Sequence, residues 1–140
     1  MSHIAIVYWS GTGNTEAMAA AVAEGAKSAG ASVTTFTAAE FTASKVDEFD
    51  AIAFGCPSMG AEQLEESEFE PMFLDCEKKL PGKRIALFGS YGWGDGEWMR
   101  TWEDTCRSDG AVLVTESVIC METPDDAAQE QCRALGSALA

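Results

Sequence analysis

The chain has 140 residues, enough for one domain that buries a core without disulfides or metals. Its 9 basic against 23 acidic side chains give a formal charge of −14. That argues against nucleic acid, whose affinity rests on phosphate neutralisation, and against anionic membranes, and it suits partners with basic surfaces.

The elements alternate along the chain. Ile4 to Trp9 is a continuous apolar run, the pattern of a strand buried on both faces. Asn14 to Ala29 carries Met18, Val22, Gly25, Ala26 and Ala29 at helix spacing, and Gly30 ends it. Ser32 to Thr37 is a second, more polar strand, and Phe41 to Phe49 a short irregular or helical connection. Ala51 to Cys56 is a third buried strand, stopped by Pro57. Glu68 to Lys79 is a helix with Phe69, Met72, Phe73 and Cys76 on one face, broken by Pro81 and Gly82. Arg84 to Ser90 contains the fourth strand, and Glu97 to Arg107 is the next helix. Val112 to Cys120 holds the fifth strand, with polar breaks at Thr115 and Ser117. Asp125 to Leu139 closes the chain as a helix with Pro124 near its start and acidic residues in its first turn. This alternation predicts an α/β fold: one domain over 1–140, a doubly wound five-stranded parallel sheet. Crossovers should be right-handed, with the ligand outside the C-terminal strand ends.

Three loops follow the central strands. Ser10-Gly11-Thr12-Gly13-Asn14-Thr15 joins a strand to a helix. Its glycines let backbone N–H groups approach a ligand, the helix N-terminus favours an anion, and its hydroxyls and amide add neutral donors. No Lys-Ser or Lys-Thr follows, so it is not a P-loop, and the third glycine of a dinucleotide fold is missing. The second loop is Pro57-Ser58-Met59-Gly60-Ala61-Glu62; the third is Ser90-Tyr91-Gly92-Trp93-Gly94-Asp95-Gly96. Trp93, between two glycines, suits stacking on a planar ligand, with Met59 on the other face. A planar heterocycle ending in a monophosphate satisfies all three.

Those residues bring the chain to a family. It resembles the flavodoxins, in particular the short-chain type of anaerobic bacteria, over essentially its whole length. The carriers are the phosphate turn, Met59-Gly60 with Glu62, the run from Leu64 to Pro71, and Gly89 to Arg100. Flavodoxin with FMN at its switch point is itself the standard example of the 2-1-3-4-5 order. The resemblance implies a low-potential carrier that shuttles electrons through FMN between its semiquinone and hydroquinone states. Ser10, Thr12, Asn14 and Thr15, with the backbone of Gly11 and Gly13, would bind the phosphate. Trp93 and Met59 would flank the isoalloxazine. Glu62 would accept from N3–H, and backbone around Gly92, Gly94 and Asp95 would meet the pyrimidine edge. The Gly60 carbonyl would turn toward N5 on one-electron reduction. Ser90 and Tyr91 belong to the same ring-binding loop. The chain departs from the family pattern at Pro57, where a serine or threonine often gives a phosphate hydroxyl and Ser58 stands beside it, and at Ala61, where an acidic residue often follows the glycine. An acidic side chain about 10 Å from the ring opposes an added electron by roughly 0.4 to 1.7 kcal/mol, or about 20 to 70 mV.

The expected partners are redox proteins with basic docking surfaces, and the protein is read as a monomer with no substrate turnover of its own. Cys56, Cys76, Cys106, Cys120 and Cys132 form no C-x-x-C pair and read as reduced thiols of a cytoplasmic protein. Met1-Ser2-His3-Ile4 shows no leader pattern, and no apolar run is long enough to span a membrane. His3 has no expected catalytic role. Tyr8, Trp9 and Phe88 read as core, as do Trp98 and Trp102, one helical turn apart. Cys56 reads as a buried thiol, and the acidic run Glu62 to Glu70 as a solvated face beside the flavin, open to partner docking. The alternative is an FMN-dependent quinone or nitro reductase on the same fold, which normally needs a nicotinamide site. A receiver-type signalling domain needs an aspartate where this chain has Gly55-Cys56-Pro57.

Overall fold

The computed structural model describes residues 2–59, 63–92 and 94–140. Alternation along the central strands sorts the core into two halves. Ala5 and Val7 of β1 (His3–Tyr8), Ile52 and Phe54 of β3 (Ala51–Gly55), and Ile85 and Leu87 of β4 (Arg84–Tyr91) face one helix layer. Ile4 and Ile6, Ala51 and Ala53, and Ala86 and Phe88 face the other. Strands that are apolar on both faces can be covered only by helices on both sides, which is the parallel, doubly wound solution. The strand order is β2-β1-β3-β4-β5, as the family resemblance implies. The more polar β2 (Ser32–Thr37) takes the edge.

The fifth position is split. β5 (Val112–Leu113) pairs with Arg84 and Ile85, while β6 (Val118–Met121) pairs with Phe88 to Tyr91. The interruption falls at the polar residues Thr115 and Ser117, whose side chains offer the sheet no apolar face to bury.

α1 (Asn14–Ser28) and α5 (Asp126–Leu139) cover one face. Their backbones nearly touch: a Cβ on Gly25 would lie 1.9 Å from the Arg133 carbonyl oxygen, and one on Gly136 would lie 2.0 Å from that of Val22. α3 (Phe69–Cys76) and α4 (Glu97–Ser108) cover the other face, after the short α2 (Ala43–Val46). α4 buries Trp98, Met99, Trp102 and Cys106 along one stripe. Trp102 meets Phe69 and Phe73 edge-on, at 5.4 and 5.6 Å between ring centres, so both tryptophans are core as expected. Tyr8, Gly55 and Phe88 are in register, so the loops after β1, β3 and β4 emerge together at one edge of the sheet.

Candidate functional site

The first loop is built around a left-handed turn. Gly13 has φ 93° and precedes α1, whose first turn no side chain caps. A Cβ there would meet open space, so the demand on glycine is conformational rather than steric. The Gly13 N–H donates to Ser10 Oγ at 3.0 Å, and the Trp9 N–H to the Gly55 carbonyl at 3.0 Å. The loop is therefore held in shape while the first amides of α1 stay available to an anion. Acidic Glu16 in that turn is engaged elsewhere, accepting the Tyr8 hydroxyl at 3.1 Å. Burial, then the Glu16 carboxylate, raises the Tyr8 pKa and keeps it a donor.

The loops after β3 and β4 are pinned to each other. The Ser58 N–H donates to the Ser90 carbonyl at 2.9 Å, and the buried Trp98 indole to the Cys56 carbonyl at 3.2 Å. Thr15 and Ser90 are both buried, and their hydroxyls pair at 3.0 Å, tying α1 to the end of β4. Met59 and Gln63 exchange backbone hydrogen bonds of 2.9 and 3.0 Å. Cys56 is fully buried, and burial above all pushes its thiol up to about 12, so it is a packed thiol and not a nucleophile.

Between these loops lies a cleft of about 560 Å³, within the usual range for small-molecule sites. Gly11, Thr12, Asn14, Ser58, Met59, Ser90, Tyr91 and Gly92 line it, together with Pro57. Ser10 and Gly13 face a second hollow of about 470 Å³ on the other side of the turn. That hollow is walled by the carboxylates of Glu16 and Glu68, which disfavour a phosphate. Thr15 is turned inward to Ser90. Gly94 and Asp95 are exposed, and Arg100 holds Asp95 at 3.1 Å, offsetting part of its charge. Gly60, Ala61, Glu62 and Trp93 lie outside the described residues.

The structure adds three residues that the sequence reading did not place here. Trp9 and Tyr8 are only half-buried, unlike the fully buried Phe88, because their polar ends need partners: the Trp9 indole donates to Glu68 at 2.9 Å. Trp9 lines the cleft, as do Glu122 and Thr123 of the loop after β6. Glu122 sits at φ 58°, a left-handed conformation that costs a non-glycine residue and concentrates at functional sites. Its N–H donates to the Tyr91 carbonyl at 2.7 Å, and the Thr123 hydroxyl to Asn14 Oδ1 at 3.3 Å. The rule that ligands sit beyond C-terminal strand ends, applied to the fifth strand as well, points to this loop.

A phosphorylated planar heterocycle such as FMN fits these walls. The Ser58 hydroxyl is buried with no hydrogen-bond partner among the described residues, a polar atom that a ligand group would satisfy. Uncapped amides with Thr12 and Asn14 offer a phosphate neutral donors, and Tyr91 and Met59 offer apolar surface.

The flavodoxin family model matches residues 6–136. The chain is 46% identical over 137 residues to flavodoxin of Megasphaera elsdenii, covering 98% of each chain. It is 45% identical over 135 residues to flavodoxin of Clostridium beijerinckii, covering 96% of this chain and 97% of that one. The solution structure of two-electron reduced Megasphaera elsdenii flavodoxin superposes with a TM-score of 0.90 over 97% of both chains.

Proposed function

The chain belongs to the flavodoxin family and is an FMN-binding electron-transfer protein, and we propose that its 140 residues form one FMN-binding domain with no substrate turnover of its own. Bound FMN supplies the redox chemistry, taking up and releasing electrons. The protein supplies position and field. In this reading Gly11, Thr12, Asn14 and Ser58 hold the phosphate through hydroxyls, an amide and the first N–H groups of α1, while Ser10 and Gly13 shape the turn by their own bond and Thr15 braces it against Ser90. Met59 and Trp93 flank the ring, while Gly60, Ala61, Glu62, Ser90, Tyr91, Gly92, Gly94 and Asp95 surround its edges. Trp9, Glu122 and Thr123 complete the wall.

The observation that carries the residue assignment is the 560 Å³ cleft, where an uncapped helix start meets the unpartnered Ser58 hydroxyl and the Tyr91 ring. The phosphate donors are neutral, so the charge of the bound phosphate persists beside the ring. With the formal charge of −14 it opposes added electrons and makes the fully reduced cofactor a strong donor.

Flavodoxins pass electrons to redox partner proteins. We assign this chain partners with basic docking surfaces, on the strength of its charge and of exposed Glu66 and Glu68 near the cleft. We further infer a monomer, and a cytoplasmic location from five free thiols, four of them buried. No helix among the described residues is long and apolar enough to cross a membrane. The test is turnover. FMN-loaded protein should accept electrons from a reductase and deliver them to an acceptor protein, yet oxidise neither NADH nor NADPH alone. Steady oxidation of either nucleotide would favour the reductase alternative.

A further inference from the structure

Glu65 is an acidic residue that the structure takes out of solvent. It is 5% exposed, although it stands in a run of acidic residues otherwise read as a solvated face. Its Oε1 accepts the N–H groups of Glu68 at 2.8 Å and Phe69 at 2.9 Å. Its Oε2 accepts the Ser67 N–H at 2.9 Å and the Ser67 hydroxyl. Its own N–H donates to Cys56 Sγ at 3.3 Å, and its carbonyl accepts the Glu70 N–H at 2.8 Å. One residue thus ties the end of β3 to the first turn of α3, which Phe69 anchors in the core.

The bonded pair Met59 and Gln63 lies between two anchors. On one side the Ser58 N–H is bound to the Ser90 carbonyl; on the other, Glu65 follows Gln63 by two residues. We propose that Glu65 is a positioning residue, whose bonded carboxylate fixes where Gln63, and through its backbone bonds Met59, stands at the ring-binding side of the cleft. This rests on the reading of the cleft as the FMN site. The chemistry is specific to a carboxylate: four donors converge on two oxygens, and glutamine would turn an N–H₂ toward one pair of them. Burial alone would raise the carboxyl's pKa, but the bonds from Ser67, Phe69 and Glu68 outweigh it and hold the group ionised.

A rival role for Glu65 is simply one more negative charge near the flavin. Exposed Glu66 carries the same charge one residue away and is the control. The experiment titrates wild type, Glu65→Gln, Glu66→Gln and Ser67→Ala with FMN and with riboflavin, and measures amide exchange at Ser67, Glu68 and Phe69. In the FMN reading of the cleft, Met59 flanks the ring and takes no part in holding the phosphate. Glu65→Gln should therefore weaken both flavins by a common factor, on the order of tenfold, leaving the FMN-to-riboflavin ratio at its wild-type value. Those amides should exchange faster. Ser67→Ala, which removes one donor, should move both affinities the same way by less. Glu66→Gln should leave both within about twofold. Equal behaviour of Glu65→Gln and Glu66→Gln, or a loss confined to FMN, overturns the inference. If Glu65→Gln does not fold, Ser67→Ala decides: unchanged affinity for both flavins overturns it. Wild type that binds neither flavin would instead overturn the reading of the cleft, and the inference with it.

Discussion

Asp109 and Glu77 make stability fall as pH rises through neutrality. Asp109 follows α4, and its Oδ2 is buried with no hydrogen-bond partner among the described residues. Glu77 opens the 3₁₀ turn after α3 and meets it carboxyl to carboxyl. Burial first, then the bond to Asp109 and its charge, push Glu77 from 4.5 up to about 7. Between those values the folded state keeps a proton that the unfolded state has lost. The pair's contribution is therefore fully present below about pH 4.5 and is lost as pH rises through about 7. At about 1.4 kcal/mol per pH unit the full displacement is worth roughly 3 kcal/mol. Glu77 is only partly buried, so solvent screening reduces this to about 1 to 2 kcal/mol. Glu103 and Arg107 stand with the pair around Cys106, whose thiol burial above all pushes up to about 12. The assay is thermal unfolding of wild type and Asp109→Asn, both saturated with FMN, at pH 5, 6, 7 and 8. Across that range the wild type should lose up to about 4 °C more than the variant, which keeps the burial of Glu77 but not the Asp109 charge, at roughly 3 to 4 °C per kcal/mol for a domain of this size. Parallel profiles for the two proteins would refute a shared proton.

Gly89 is a position of close approach: a Cβ there would lie 2.1 Å from the Cys56 carbonyl oxygen. Gly89→Ala should destabilise the protein by roughly 1 to 3 kcal/mol and weaken FMN binding by displacing the wall that carries Ser58, both read by unfolding with and without cofactor. Trp93→Ala should weaken FMN by about 1 to 3 kcal/mol, by analogy with base–aromatic stacking, and restore flavin fluorescence. A wild-type flavin that is already bright would count against stacking. Electron transfer to a basic partner should slow across an ionic-strength series, whereas a flat rate with every partner tried would remove the docking role.

Much of the fold is legible in the sequence because the apolar runs at Ile4, Ala51 and Ile85 can be buried only between two helix layers. The break in the fifth strand is legible too, in Thr115 and Ser117. The turn into α1 shows itself through Gly13, since few other residues take its backbone conformation. What stays hidden depends on contacts made only in the fold. Glu65 looks like its acidic neighbours because the donors that bury it are mostly backbone amides. Glu122 carries no signal of its left-handed backbone, since glutamate has no preference for it. Trp9 reads as core from composition, and only the position of Glu68 across the loop explains why its indole stays at the surface.

If the turn from Ser10 to Thr15, with Ser58, serves a flavin's phosphate, FMN must bind far more tightly than riboflavin. Titration of the apoprotein with FMN and with riboflavin tests it most directly, because the two ligands share the ring and differ in the phosphate. Two or more hydrogen bonds to a charged phosphate, each worth roughly 1.5 to 3 kcal/mol, predict that one FMN binds per chain, about a hundredfold or more tighter than riboflavin. Equal affinities would contradict the claim and leave the loop an ordinary helix start.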